Sequence, residues 1–208
     1  MKSDDSTLTI GSRLHSSRIA GLLITRVVPF GLVLLMAVIV SQAEQPGASS
    51  DGHSRTMTGG GQAGKDFSET QPDGGLLVGL DVWRGEYYRS VVISGIRAIY
   101  LTDKGRVRGE IYGHWKGDPD ATIESKQEGS GITRVEVTDD KEQVIALRVG
   151  FANGEMSPWF GREVPKNLPM NKMPRYLRTT HLTVSSGKGA IGIYGGADGT
   201  LFRFGLIY

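Results

Sequence analysis

The chain of 208 residues contains no cysteine. That removes disulfides, thiolate metal sites and cysteine nucleophiles together. Histidine is nearly as scarce, with four in all. His114 and His181 are far apart, and neither has a carboxylate at metal-ligand spacing. His53 sits alone in a polar stretch, so no metal site is expected. No Asn-x-Ser/Thr acceptor occurs, because Asn153, Asn167 and Asn171 all lack a hydroxyl residue two positions on. Catalytic signatures are missing as well. Ser185-Ser186-Gly187-Lys188-Gly189 lacks the spacing of a phosphate-binding loop, and no strand-turn-helix nucleophile motif is present. The chain is expected to be no enzyme and to need no cofactor.

Net charge is also in short supply once the leader is set aside. Four of the 24 lysines and arginines, and two of the 22 acidic residues, lie within the first 43 positions, so the remainder carries 20 of each sign. A neutral body has no field to attract nucleic acid, and no nucleic-acid partner is expected.

The one long apolar run is residues 27–40, VVPFGLVLLMAVIV, preceded by Arg13, Arg18 and Arg26 and followed by Ser41-Gln42-Ala43. A charged region, an apolar core and small residues at the cut site form the pattern of a secretory signal peptide. A retained anchor over residues 19–40 is the rival reading, although Arg26 interrupts it and the uninterrupted part is short for ~30 Å of hydrocarbon. Residues 1–43 are therefore expected to be a signal peptide or membrane anchor. Either way the rest of the chain is expected to be exported: secreted, periplasmic or on the cell surface. Membrane contact is expected only through this segment, and only if it stays uncut.

Residues 44–73 are rich in glycine, serine, glutamine and charge, with Met57 and Phe67 their only large apolar side chains. Such composition buries too little surface to offset ordering entropy, so a flexible linker is expected there. Residues 74–208 read as one domain. Thirty glycines and the absence of a sustained helical period suggest short strands joined by tight turns. Alternating apolar positions mark strands near residues 76–83, 93–102, 107–112, 121–126, 132–138, 144–151, 156–160, 181–184, 190–194 and 201–208, with turns at residues 84–86, 103–105 and 153–154. In the first strand Leu76, Val78, Leu80 and Val82 are expected on one face, with Asp81 and Trp83 on the other. The stretch 161–180, with Pro165, Pro169 and Pro174, is expected to be mostly loop. A β-sandwich, barrel or prism accommodates these elements.

From residue 144 onward the sequence resembles the jacalin-like lectins. In that family a strand leads to Gly-Pro-Phe-Gly, then to a glycine loop and an aromatic-ended closing strand. Here Ser157-Pro158-Trp159-Phe160-Gly161 is similar to the first motif, and Gly192-Ile193-Tyr194-Gly195-Gly196-Ala197-Asp198-Gly199 to the second. The resemblance implies an all-β prism of about ten to twelve short antiparallel strands in three four-stranded sheets, with a β-sandwich as the alternative. It also implies a lectin-like, carbohydrate-binding module. In sugar-binding members an aspartate after the glycines accepts hydrogen bonds from sugar hydroxyls; the matching position here is Arg203 or Phe202, and neither accepts such bonds.

The expected ligand site is the turn. Gly195, Gly196, Ala197, Asp198 and Gly199 would offer backbone donors and the Asp198 carboxylate to a polyol. Tyr194 would stack on a sugar face, and Gly74 and Gly75 would complete a shared rim. Trp83, Tyr87, Tyr88, Trp115 and Trp159 are further aromatic candidates. The expected partner is a glycan. An envelope protein held by a scaffold with a degenerate sugar site is the alternative.

Overall fold

The computed structural model describes residues 52–71, 73–162, 177–185 and 189–208. The leader, Pro165, Pro169, Pro174 and Ser186-Gly187-Lys188 lie outside them.

Twelve strands and no helix occur among the described residues, arranged as three four-stranded antiparallel sheets. The first sheet has the order β5-β4-β3-β6, from β3 (Leu76–Tyr87), β4 (Ser90–Thr102), β5 (Gly105–Gly113) and β6 (Ala121–Glu124). The second is β10-β7-β8-β9, from β7 (Ile132–Asp139), β8 (Val144–Phe151), β9 (Phe160–Gly161) and β10 (Arg178–Thr183). The third is β1-β12-β11-β2, from β1 (Gly59–Gly60), β2 (Lys65–Thr70), β11 (Gly192–Ala197) and β12 (Leu201–Ile207). The three sheets share one core. Leu77, Leu80, Val82, Ile93 and Ile96 enter it from the first, Val135, Val137, Leu147 and Val149 from the second, and Ile193, Phe204 and Leu206 from the third. Burying each such side chain stabilises the fold by about 1.5–3 kcal/mol.

The linker expected over residues 44–73 is a correction. From Gly52 on, this stretch belongs to the domain wherever it is described. β1 pairs with β12, and β2 pairs along its whole length with β11. Ser54 and Tyr208 exchange backbone hydrogen bonds, and Arg55 bridges Ile207. Composition misled because these strands contribute backbone partners more than apolar area. Phe67 is the exception, stacking on Tyr112 with centroids 4.2 Å apart.

A second correction concerns β3. The expected turn at residues 84–86 is strand, and the hairpin continues to a two-residue tip, Tyr88-Arg89, with φ of 47° and 66°. This is the double positive-φ geometry that matches strand twist, here without the usual glycine. Irregularities at Leu77/Gly79 and Trp83/Arg84 shift the side-chain alternation. Leu77 therefore joins Leu80 and Val82 in the core, in place of Val78.

The outward faces carry buried acids ringed by arginines. On the first sheet Asp81, fully buried, accepts from Arg97 at 2.6 and 2.9 Å, from Arg108 at 3.0 Å and from Thr122 at 2.6 Å. On the second, Glu136 meets Arg134 and Arg148, and Asp139 meets Arg178. Arg97 lies over Trp83, and Arg148 over Trp159. Of the three tryptophans put forward as sugar platforms, Trp83 is buried, Trp159 is half-buried beneath Arg148, and Trp115 is exposed, as is Tyr88.

Candidate functional site

The third sheet explains what happens to the expected turn. Gly195, Gly196 and Ala197 are strand residues in β11, paired with β2 on one side and β12 on the other. Their backbone groups belong to the sheet and are closed to a polyol. Only Asp198 and Gly199 form the bend; both are exposed, and the Asp198 N–H donates to the Thr200 carbonyl at 3.0 Å. Gly74 and Gly75 do not join this bend. They follow the end of β2 that faces Gly192, whereas the bend follows Ala197, which faces Lys65. Five residue steps along a strand separate the two ends by about 17 Å. The glycine beside the bend is Gly64, where a Cβ would lie 2.8 Å from the Ala197 nitrogen.

The outer face of this sheet carries the more developed arrangement. Tyr194 sits opposite Gly205, and Arg203 opposite Gly196. Each large side chain lies across the glycine facing it. A Cβ on Gly205 would overlap the Tyr194 ring, and one on Gly196 would overlap the Arg203 guanidinium. The two glycines are sockets. Arg203 crosses Gly196 to reach Asp66 on β2, and its Nη1 donates to the carbonyls of Gln62 at 2.9 Å and Ala63 at 2.6 Å. Tyr194 donates its hydroxyl to the Thr56 carbonyl. Burial raises the Tyr194 hydroxyl above the ordinary tyrosine value, against the opposing Arg55 charge and the Thr56 contact, so the phenol stays protonated. Arg55 lies 5.0 Å above the Tyr194 ring centre and donates to Ser68 at 3.1 Å. With Gly205 beneath the ring and Arg55 above it, Tyr194 is no open stacking surface for a sugar.

These side chains line a groove of about 940 Å3, together with Thr58, Arg178 and Thr180. Arg178 reaches the fully buried Asp139 at 3.1 Å and the Gly60 carbonyl at 2.7 Å, yet its side chain is 55% exposed. Of the expected site residues, Tyr194 and Gly195 line the groove; Gly74, Gly75, Gly196, Ala197, Asp198 and Gly199 do not. Arg55, Asp66 and Arg178 were missed. Arg55 faces Ile207 and Arg178 faces Asp139 across their ladders, so no local sequence pattern marks them.

Gly205→Ala is expected to push the Tyr194 ring out of its socket and break its bond to Thr56. Destabilisation of about 1–3 kcal/mol, typical of overpacking, should appear as a lower urea midpoint.

No protein-family model matches the chain, and no curated sequence matches it. Solved structures do. Wild-type Malaysian banana lectin superposes with a TM-score of 0.52 at 16% identity, over 74% of this chain and 95% of that one. Artocarpin, solved with mannotriose, gives 0.52 at 16% identity over 74% and 96%. Single-chain recombinant jacalin gives 0.53 at 17% over 79% and 98%. The fold is the jacalin-like β-prism. In that prism β11 and β12 form the closing hairpin anticipated from the glycine motif, and its register places Arg203 opposite Gly196. Gly196 also faces Asp66, so the guanidinium and the carboxylate stand in one row across three strands.

Proposed function

We propose that this chain is an exported, non-catalytic module that binds a glycan in the groove on the outer face of the β1-β12-β11-β2 sheet. The observation that carries this reading is the groove itself. It is large enough for more than one sugar ring by the usual size of ligand clefts, and hydroxyl, amide and guanidinium groups line it. The lectin fold supports the same reading by analogy. A glycan screen with the full-length chain tests it. Retention of at least one polysaccharide is expected, with its chain length unchanged by chromatography after incubation. Asp198→Ala should leave that retention as it was, since Asp198 stands outside the groove. A screen with no retained glycan, or a shortened product, would sink the proposal. Export is tested by fractionating cells that express the chain.

The self-contained contacts of Arg203 favour a second reading, an envelope scaffold whose prism has lost its sugar site. Cross-linking to an envelope protein, alongside a blank glycan screen, would select it.

A further inference from the structure

The Asn153-Gly154 bend carries chemistry that the groove does not use. Three asparagines occur in the chain, and Asn153 alone is followed by glycine. An Asn-Gly pair readily loses its side-chain amide, because no Cβ on the second residue hinders attack by its nitrogen. In that reaction the Gly154 nitrogen gives up its proton and bonds to Cγ of Asn153. The Cγ–Nδ2 bond breaks and ammonia leaves. Water then opens the cyclic imide at one of its two carbonyls, giving aspartate, or isoaspartate with an extra carbon in the main chain. Water and base are the only reagents.

In the folded protein the reacting atoms are held apart. The Gly154 N–H donates to the Phe151 carbonyl at 2.9 Å. Asn153 Oδ1 accepts from the Glu155 N–H at 3.0 Å. Asn153 Nδ2 donates to Ser125 Oγ at 3.0 Å and to Glu155 Oε2 at 3.5 Å. Glu155 Oε2 also accepts from Ser125 Oγ at 2.8 Å and from the Lys126 N–H at 3.0 Å. Hydrogen bonds from Ser125, the Lys126 N–H and Asn153 outweigh desolvation and hold the Glu155 carboxyl below its ordinary value, so it is charged at neutral pH. The same clamp ties the bend to residues 125–131, which connect β6 to β7. Backbone bonds from Asn153 to Ser130 Oγ and from Ala152 to the Gly131 carbonyl continue that tie.

We infer that Asn153 is a site of spontaneous deamidation gated by Ser125 and Glu155. While the clamp holds, conversion is slow; once it occurs, the clamp cannot re-form and the tie to residues 125–131 is weakened. The new carboxylate donates nothing where Nδ2 stood, and it places a second negative charge beside Glu155. The change runs one way. None of these residues lines the groove, so the inference is independent of the glycan reading.

The experiment incubates the full-length chain in mildly alkaline buffer and follows Asn153 by peptide mass spectrometry that separates aspartate from isoaspartate. The folded protein is expected to convert more than about tenfold slower than the same chain unfolded in urea, because reaction must wait for local opening. Ser125→Ala should speed conversion of the folded protein about fivefold, the factor that one lost hydrogen bond contributes. Circular dichroism reports whether the variant is folded; if it is not, Glu155→Ala carries this arm with the same expectation. Asn153→Asp installs the ordinary product and should lower the urea midpoint relative to the native protein. That deficit should shrink at high salt, where repulsion from Glu155 is screened. Conversion as fast in the folded protein as in urea would overturn the inference. So would clamp variants that convert no faster than the native protein, or an Asn153→Asp protein with an unchanged midpoint.

Discussion

A chain cut to residues 74–208 is expected not to fold, although composition alone marks that segment as the whole domain. Removing residues up to 73 deletes β1 and β2 and leaves a two-stranded remnant of a four-stranded sheet. It strips six register partners from β11, takes Phe67 off Tyr112, and leaves the Arg203 guanidinium without Gln62, Ala63 and Asp66. It also leaves two long strand edges bare, a state prone to aggregation. Domains have a net stability of about 5–15 kcal/mol, and the loss of two strands with their packing exceeds what such a margin tolerates. The truncated chain should lack a cooperative urea transition and be digested by protease at concentrations that spare a chain starting at residue 52. A cooperative transition in the shorter form would mean that β1 and β2 are accessory.

The second large effect is at Asp81. Asp81→Asn should destabilise the protein by about 3 kcal/mol, the low end for breaking a buried ion pair. The low end applies because Arg108 is 54% exposed and water screens it. Burial pushes the Asp81 carboxyl up, but hydrogen bonds from Thr122, Arg97 and Arg108, with the Arg97 charge, outweigh it and hold it below its ordinary value of 3.8. A carboxyl whose pKa is depressed on folding adds stability at pH above its unfolded value, and loses that contribution as pH falls through the folded one. The urea midpoint of the native protein should therefore drop on acidification below pH 3.8, and Asp81→Asn should flatten that drop. Equal slopes for both proteins would remove Asp81 from the account.

How far the sequence carried is plain from particular residues. The strand at residues 144–151, the Asn153-Gly154 bend and the closing glycine hairpin are all read directly, because period-two burial and turn chemistry are local signals. The prism was legible through the glycine motif. The arrangement of the groove was not. Arg55, Asp66 and Arg178 come from three segments spread over more than a hundred residues, brought together by pairing register. No local pattern encodes such a meeting. The β2 strand escaped for a related reason: five of its six residues, KDFSET, are polar, and their strand state is imposed by β11. Gly74 and Gly75 were placed by analogy of order along the chain, whereas the glycine that lies beside the bend is Gly64.

The mutual hydrogen bonds of Ser54 and Tyr208 have a consequence for assembly. One face of the prism is woven from the earliest and latest strands, with β12 lying between β1 and β11. Its loop-closure entropy falls due only when residue 208 is free to reach residue 54. The other two sheets can zip up as the polypeptide emerges, but this one must wait. Until β11 and β12 exist, β2 and β1 lack their partners, so the face that carries the groove is the last to be completed.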